Sequence, residues 1–144
     1  MNSGFSTNIG IFFLKILAKF PFGFIYFLSD IFYLVVYYIV GYRKNVVTAN
    51  LKNAFPEKSE KEIKQITKKF YRHFSDLTLE TIKMSGMKLP DFEERMKVAN
   101  AGLINSYFEK GKSVLVLTMH YNNWEWGTYI SMHLKHKSLG TPVS

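Results

Sequence analysis

SVLVLTMHYNNWEWG, residues 113–127, sets a short run of β-branched residues and leucine directly before a histidine, two asparagines and a glutamate. Residues 113–118, preceded by the turn signal Gly111-Lys112, predict a strand covered on both faces. His120 then stands where a buried strand ends. In open α/β sheets reacting groups gather at such strand ends, because the loop there presents them to a crevice. The expected fold class is α/β.

Glu125 follows His120 by five positions. On one continuous helix the two would stand roughly 140° apart, since each residue turns ~100°, so a pair needs a bend between them. Asn122 and Asn123 supply one, because asparagine tolerates left-handed backbone angles, bonds its own backbone in turns and caps helices. His120 would finish the strand and Glu125 would open the next helix. A carboxylate so placed accepts the Nδ1 proton of the imidazole, fixes its tautomer and stabilises the imidazolium formed when Nε2 removes a proton from a substrate hydroxyl. The other reading is a structural histidine, since polar groups at strand ends are common without taking part in chemistry.

Working back from this stretch, residues 95–99 predict a short strand and residues 101–109 a helix beginning after Asn100, which makes a strand-helix-strand unit followed by a helix over 124–134. Further upstream, Ser59 with Glu62 forms a capping box. Ile63, Ile66, Phe70, Phe74 and Leu77 recur at spacings of three and four, so a helix is expected over 60–84, ended by Gly86 and Pro90.

The first 42 residues differ from the rest. Residues 9–20 are apolar except for Lys15 and Lys19, Pro21 punctuates them, and FGFIYFLSDIFYLVVYYIVG, residues 22–41, is apolar enough to cover the ~30 Å hydrocarbon core. Asp30 opposes insertion by about 2.5 to 3.5 kcal/mol, against about 0.3 to 0.6 favourable from each large apolar residue. A spanning helix and an embedded hydrophobic hairpin both stay open. The stretch is too long for a cleaved signal peptide and lacks its small-x-small site. Arg43 and Lys44 favour a cytoplasmic location for the chain beyond Gly41.

A formal charge of +8 with 17% aromatic residues suits anionic headgroups, acidic proteins or nucleic acid. Nucleic acid is the weakest of these and is not an expected partner, since the chain has no recognised binding motif and no basic stripe with stacking aromatics. The chain has no cysteine, and its four histidines show no metal-ligand spacing, so neither metal nor cofactor is expected.

GKSVLVLTMHYNNWEWG resembles the first motif of the bacterial lipid A biosynthesis (lauroyl and myristoyl) acyltransferases, a branch of the lysophospholipid acyltransferase superfamily. A second block, residues 41–80 with NLKNAFPEKS at 50–59, resembles the family's segment between membrane anchor and catalytic domain. Met119 replaces a residue that is small in many members, and Asn122 replaces a usual glycine. The resemblance implies that His120 is the general base and Glu125 its orienting carboxylate, with Asn123 a weaker candidate for a polar contact to substrate. Asn123 and Trp124 shape the turn and pack it, and Trp124 and Trp126 are expected in core or membrane-interface packing rather than in direct ligand contact. It implies an acyl-acyl carrier protein donor, a glycolipid acceptor that is a lipid A precursor, and contact with membrane lipids at the cytoplasmic face of the inner membrane. Lys61, Lys64, Lys68 and Lys69 are then either a solvated basic face or a docking surface for the acidic carrier protein.

The expected organisation is a hydrophobic anchor over 1–42 followed, over 43–144, by an incomplete α/β acyltransferase domain. The family's later acceptor-binding motifs have no counterpart, so the chain is expected to be an N-terminal fragment, inactive by itself. The alternative is a non-catalytic membrane protein that binds lipid without turning it over.

Overall fold

Pro21 breaks the apolar N-terminal stretch into two helices, because proline lacks a backbone N–H and suits the entry to a first helical turn. In the computed structural model, which describes residues 3–135, α1 spans Ser3–Leu17 and α2 spans Phe22–Leu34, with Pro21 as the extended cap of α2. The expected ranges 1–42 and 43–144 run past the described residues at both ends. α2 continues into a π-helical stretch, Val35–Val40, that closes at Gly41. Two more helices, α3 (Lys44–Ala54) and α4 (Glu60–Met84), complete the first of two compact units, Met1–Gly86.

α4 has the bounds its sequence pattern predicts, and its capping box forms as expected. The Glu62 N–H donates to Ser59 Oγ at 3.4 Å, while the Ser59 N–H and hydroxyl donate to the Glu62 carboxylate at 2.9 and 2.7 Å. The Ser59 hydroxyl, with the backbone N–H, holds the Glu62 carboxyl below the usual carboxylate range. The cap is therefore intact at neutral pH and weakens as pH falls through that lowered value. Ser59→Ala is expected to destabilise the fold by about 1 kcal/mol, read as a lower melting temperature in a thermal shift assay.

The buried stripe of α4 differs from the one its apolar residues predict. Ile63, Thr67, Tyr71, Ser75, Leu79 and Lys83 face inward at a strict spacing of four, whereas Phe70 is 43% exposed. Small hydroxyl residues fit there because they satisfy themselves on their own helix: Thr67 donates to the Ile63 carbonyl and Ser75 to the Tyr71 carbonyl, both at 2.8 Å. Tyr33, Val36, Tyr37 and Tyr71 form the core, with Phe32, Val47 and Phe74 against it. At the far end the buried Lys83 amine donates to the Ala18 carbonyl at 2.8 Å. Gly86 approaches that same backbone so closely that a Cβ would stand 2.5 Å from the Ala18 oxygen, which leaves room for glycine alone.

The second unit is Met87–Ser144. It holds α5 (Leu89–Arg95), α6 (Ala101–Glu109, beginning after Asn100 as expected) and a 3₁₀ helix, Trp124–His133. Gly111, at φ 64°, ends α6 in a Schellman arrangement: its N–H bonds the Phe108 carbonyl, and the Lys112 N–H bonds the Tyr107 carbonyl, both at 2.9 Å.

The α/β expectation is overturned: among the described residues every regular element is helical and there is no strand. Residues 95–99 are used up by the end of α5, where the Met96 N–H bonds the Phe92 carbonyl at 2.7 Å, and by the turn into α6. Residues 112–121 are non-regular and exposed throughout, with Leu115 86% and Leu117 81% exposed. The apolar pattern there predicts a strand, but a strand exists only with a partner for its backbone groups, and the described residues contain no second strand to lie beside it. The helix expected over 124–134 forms as a 3₁₀ helix rather than an α-helix.

Candidate active site

The expected His-Glu pair is carried by one irregular turn and the helix after it. His120 lies near the end of the exposed segment, Asn122 adopts φ 54°, and Asn123 is the N-cap of the 3₁₀ helix that carries Glu125 in its first turn. The left-handed angle falls on Asn122, one of the two residues whose chemistry admits it. Asn123 makes no side-chain capping bond to the helix.

The structure brings His120 and Glu125 onto the same turn without joining them. His120 is exposed, and its imidazole lies against the Trp124 indole with ring centroids 4.1 Å apart. Glu125 is half-buried. Among the described residues no hydrogen bond or ion pair links the two. The Glu125 carbonyl accepts from the Thr128 hydroxyl at 3.0 Å, which ties the backbone of the helix but leaves the carboxylate out of that bond.

The contacts that fix the 3₁₀ helix lie outside the sequence motif. Tyr129 is 2% exposed and stacks on Phe92 of α5, centroids 5.1 Å and planes 8° apart, while Trp126 meets the same ring edge-on at 6.1 Å. Burial, reinforced by the nearby Glu93 carboxylate, pushes the Tyr129 hydroxyl above the usual tyrosine range. From α6, the Asn105 amide donates to the His133 carbonyl at 3.0 Å and its oxygen accepts from the Lys135 N–H at 2.8 Å. Lys135 also pairs with Glu109 at 2.6 Å. One signal for these contacts is present in the sequence: Phe92 is an aromatic residue set between the acids Asp91 and Glu93. The packing expected of Trp126 is present, whereas Trp124 is 45% exposed against the histidine ring.

A groove of about 300 Å³ on the first unit, lined by Tyr42, Arg43, Asn50, Phe70, Tyr71 and Phe74 among others, contains neither His120 nor Glu125. No cluster of His, Cys, Asp or Glu suited to a metal ion occurs among the described residues.

The family model described as bacterial lipid A biosynthesis acyltransferase matches residues 2–143. The chain belongs to this family, and its class is that of an acyltransferase of lipid A biosynthesis. No curated protein and no solved structure matches it.

Proposed function

We propose that the protein transfers a fatty acyl group from an acyl-acyl carrier protein thioester to a hydroxyl of a lipid A precursor, with His120 as general base and Glu125 as its orienting carboxylate. The observation that carries the reading is the turn itself: an accessible imidazole and a half-buried carboxylate flank a left-handed asparagine, in a chain matched by the family model over nearly its whole length. The Nε2 atom of His120 takes the acceptor hydroxyl proton. The oxygen attacks the thioester carbonyl carbon, and the tetrahedral intermediate collapses by breaking the C–S bond. The carrier thiolate then leaves and recovers the proton from the imidazolium.

Glu125 has to swing toward Nδ1 to stabilise that imidazolium. Catalytic hydrogen bonds are often open before substrate arrives, and the neighbouring Trp124 ring occupies one face of the imidazole in this state. Asn123 is the candidate for a polar contact to substrate. Backbone N–H groups at the start of the 3₁₀ helix are the candidate oxyanion donors on general grounds. Residues 112–121, which lead to the base, are exposed throughout, and a general base acts only when it is held against the hydroxyl it deprotonates. The test is acyl transfer by the natural full-length protein and by its His120 and Glu125 variants.

The site of action is the cytoplasmic face of the inner membrane. Phe22–Val40, with a mean hydropathy of 1.8, is one helical stretch long and apolar enough to cross a bilayer. The protein should stay with membranes through a carbonate or high-salt wash, because apolar burial does not depend on charge. Release by salt alone would show that the basic residues hold it there.

A further inference from the structure

α2 and its π-helical continuation carry their polarity on the side opposite to that of a soluble helix. The side that meets α4 is where the polar contacts lie: the Tyr26 hydroxyl donates to Glu80 at 2.7 Å, the Ser29 hydroxyl donates to Asp76 at 2.6 Å, and Asp30 pairs with Arg72 at 4.0 Å. The other side is apolar and open. Phe24, Phe27, Ile31 and Leu34 recur at spacings of three and four and are 38% to 58% exposed. Exposed apolar surface of that extent marks an interaction site.

α4 restricts the chemistry of the partner. It runs antiparallel along the whole apolar rod, from Lys83 over the Phe22 ring at 5.4 Å to Tyr71 against Tyr37, with ring centroids 5.4 Å apart. A spanning α2 would drag Arg72, Asp76, Glu80 and Lys83 through the hydrocarbon core. Charged groups are tolerated there when they face a bundle interior or a water-filled cavity. Arg72 and Asp30 instead have side chains 65% and 67% exposed.

We propose that Phe22–Val40 lies in the plane of the membrane, with its apolar face among the acyl chains of one leaflet and α4 on the aqueous side, and does not cross the bilayer. The basic residues complement this occupant: Lys15 and Lys19 precede the rod and Arg43 and Lys44 come after it, so cations stand at both ends, where anionic headgroups lie. Asp30, an obstacle to insertion of a spanning helix, is on the wet side with Arg72. The inference stands apart from the acyl-transfer reading, since it uses the first unit alone.

The chain has no cysteine, which makes single-cysteine labelling direct. Lys19→Cys and Asn45→Cys flank the two ends of the rod, and both sites are exposed. In right-side-out and inverted bacterial membrane vesicles, a membrane-impermeant maleimide should reach both cysteines from the same side. Ile31→Cys and Phe27→Cys, on the apolar face, should react about tenfold or more slowly than Asn45→Cys until detergent is added, because lipid withholds that face from water. Having two such positions keeps one misfolded variant from deciding the result. Labelling of Lys19→Cys and Asn45→Cys from opposite sides would establish a span and overturn the proposal. So would full reactivity of both apolar-face cysteines in intact vesicles, or their protection by a cross-linked second copy of the chain instead of by lipid.

Discussion

His120→Ala in the natural full-length protein is expected to lower acyl transfer by about 10² to 10⁴, the usual contribution of a positioned general base. His120 is exposed and its ring contacts Trp124, so truncating it removes no buried core, and the protein should remain folded and membrane-bound. Glu125→Gln should also be severe. The amide keeps the shape of the side chain yet cannot stabilise the imidazolium, so the loss should appear in kcat more than in KM. Steady-state rates with an acyl carrier protein thioester and a lipid A precursor decide it, and wild-type-like transfer by either variant would remove that residue from the mechanism.

The second large effect concerns stability. Tyr71 is 1% exposed, sits in the cluster of Tyr33, Val36 and Tyr37, and donates its hydroxyl to the Tyr42 carbonyl, which ties α4 to the chain just after the π-helical stretch. Burial pushes this hydroxyl above the usual tyrosine range, so it remains a neutral donor through neutral pH. Tyr71→Ala deletes a large buried ring from a contact between helices and is expected to cost about 3 to 5 kcal/mol. Tyr71→Phe removes the hydrogen bond alone and leaves the Tyr42 carbonyl to find another donor, at about 1 kcal/mol. Thermal unfolding in detergent should order the three proteins as wild type, Tyr71→Phe, Tyr71→Ala. Equal melting temperatures would show that the packing of α2 on α4 does not limit stability.

The sequence is most legible where a local rule decides the structure. Ser59 and Glu62 start α4 through bonds between neighbours, Asn100 precedes α6, and Asn122 takes the left-handed angle that its side chain permits; none of these depends on distant residues. The features that do not read through depend on partners. Residues 113–118 have the composition of a buried strand, but composition cannot supply the second strand that would make it one, and the segment is exposed in the structure. The inward face of α4 escapes the sequence for a related reason. Its apolar residues at spacings of three and four imply one stripe, yet the buried positions include Thr67, Tyr71 and Ser75, whose hydroxyls are satisfied on their own helix or by the Tyr42 carbonyl. At the candidate site, the left-handed turn is legible from the residue type of Asn122. Phe92, Asn105 and Tyr129, which hold the helix beyond it, are brought in by tertiary packing that no spacing records.

The most direct measurement is mass spectrometry of a lipid A precursor incubated with an acyl carrier protein thioester and the membrane-bound full-length protein, with release of the carrier thiol followed in parallel. The account predicts that the precursor gains one acyl chain for each thiol released, and that both signals fall together by about 10² or more in His120→Ala. Thiol release without acylation of the precursor, or equal acylation by His120→Ala, would contradict it.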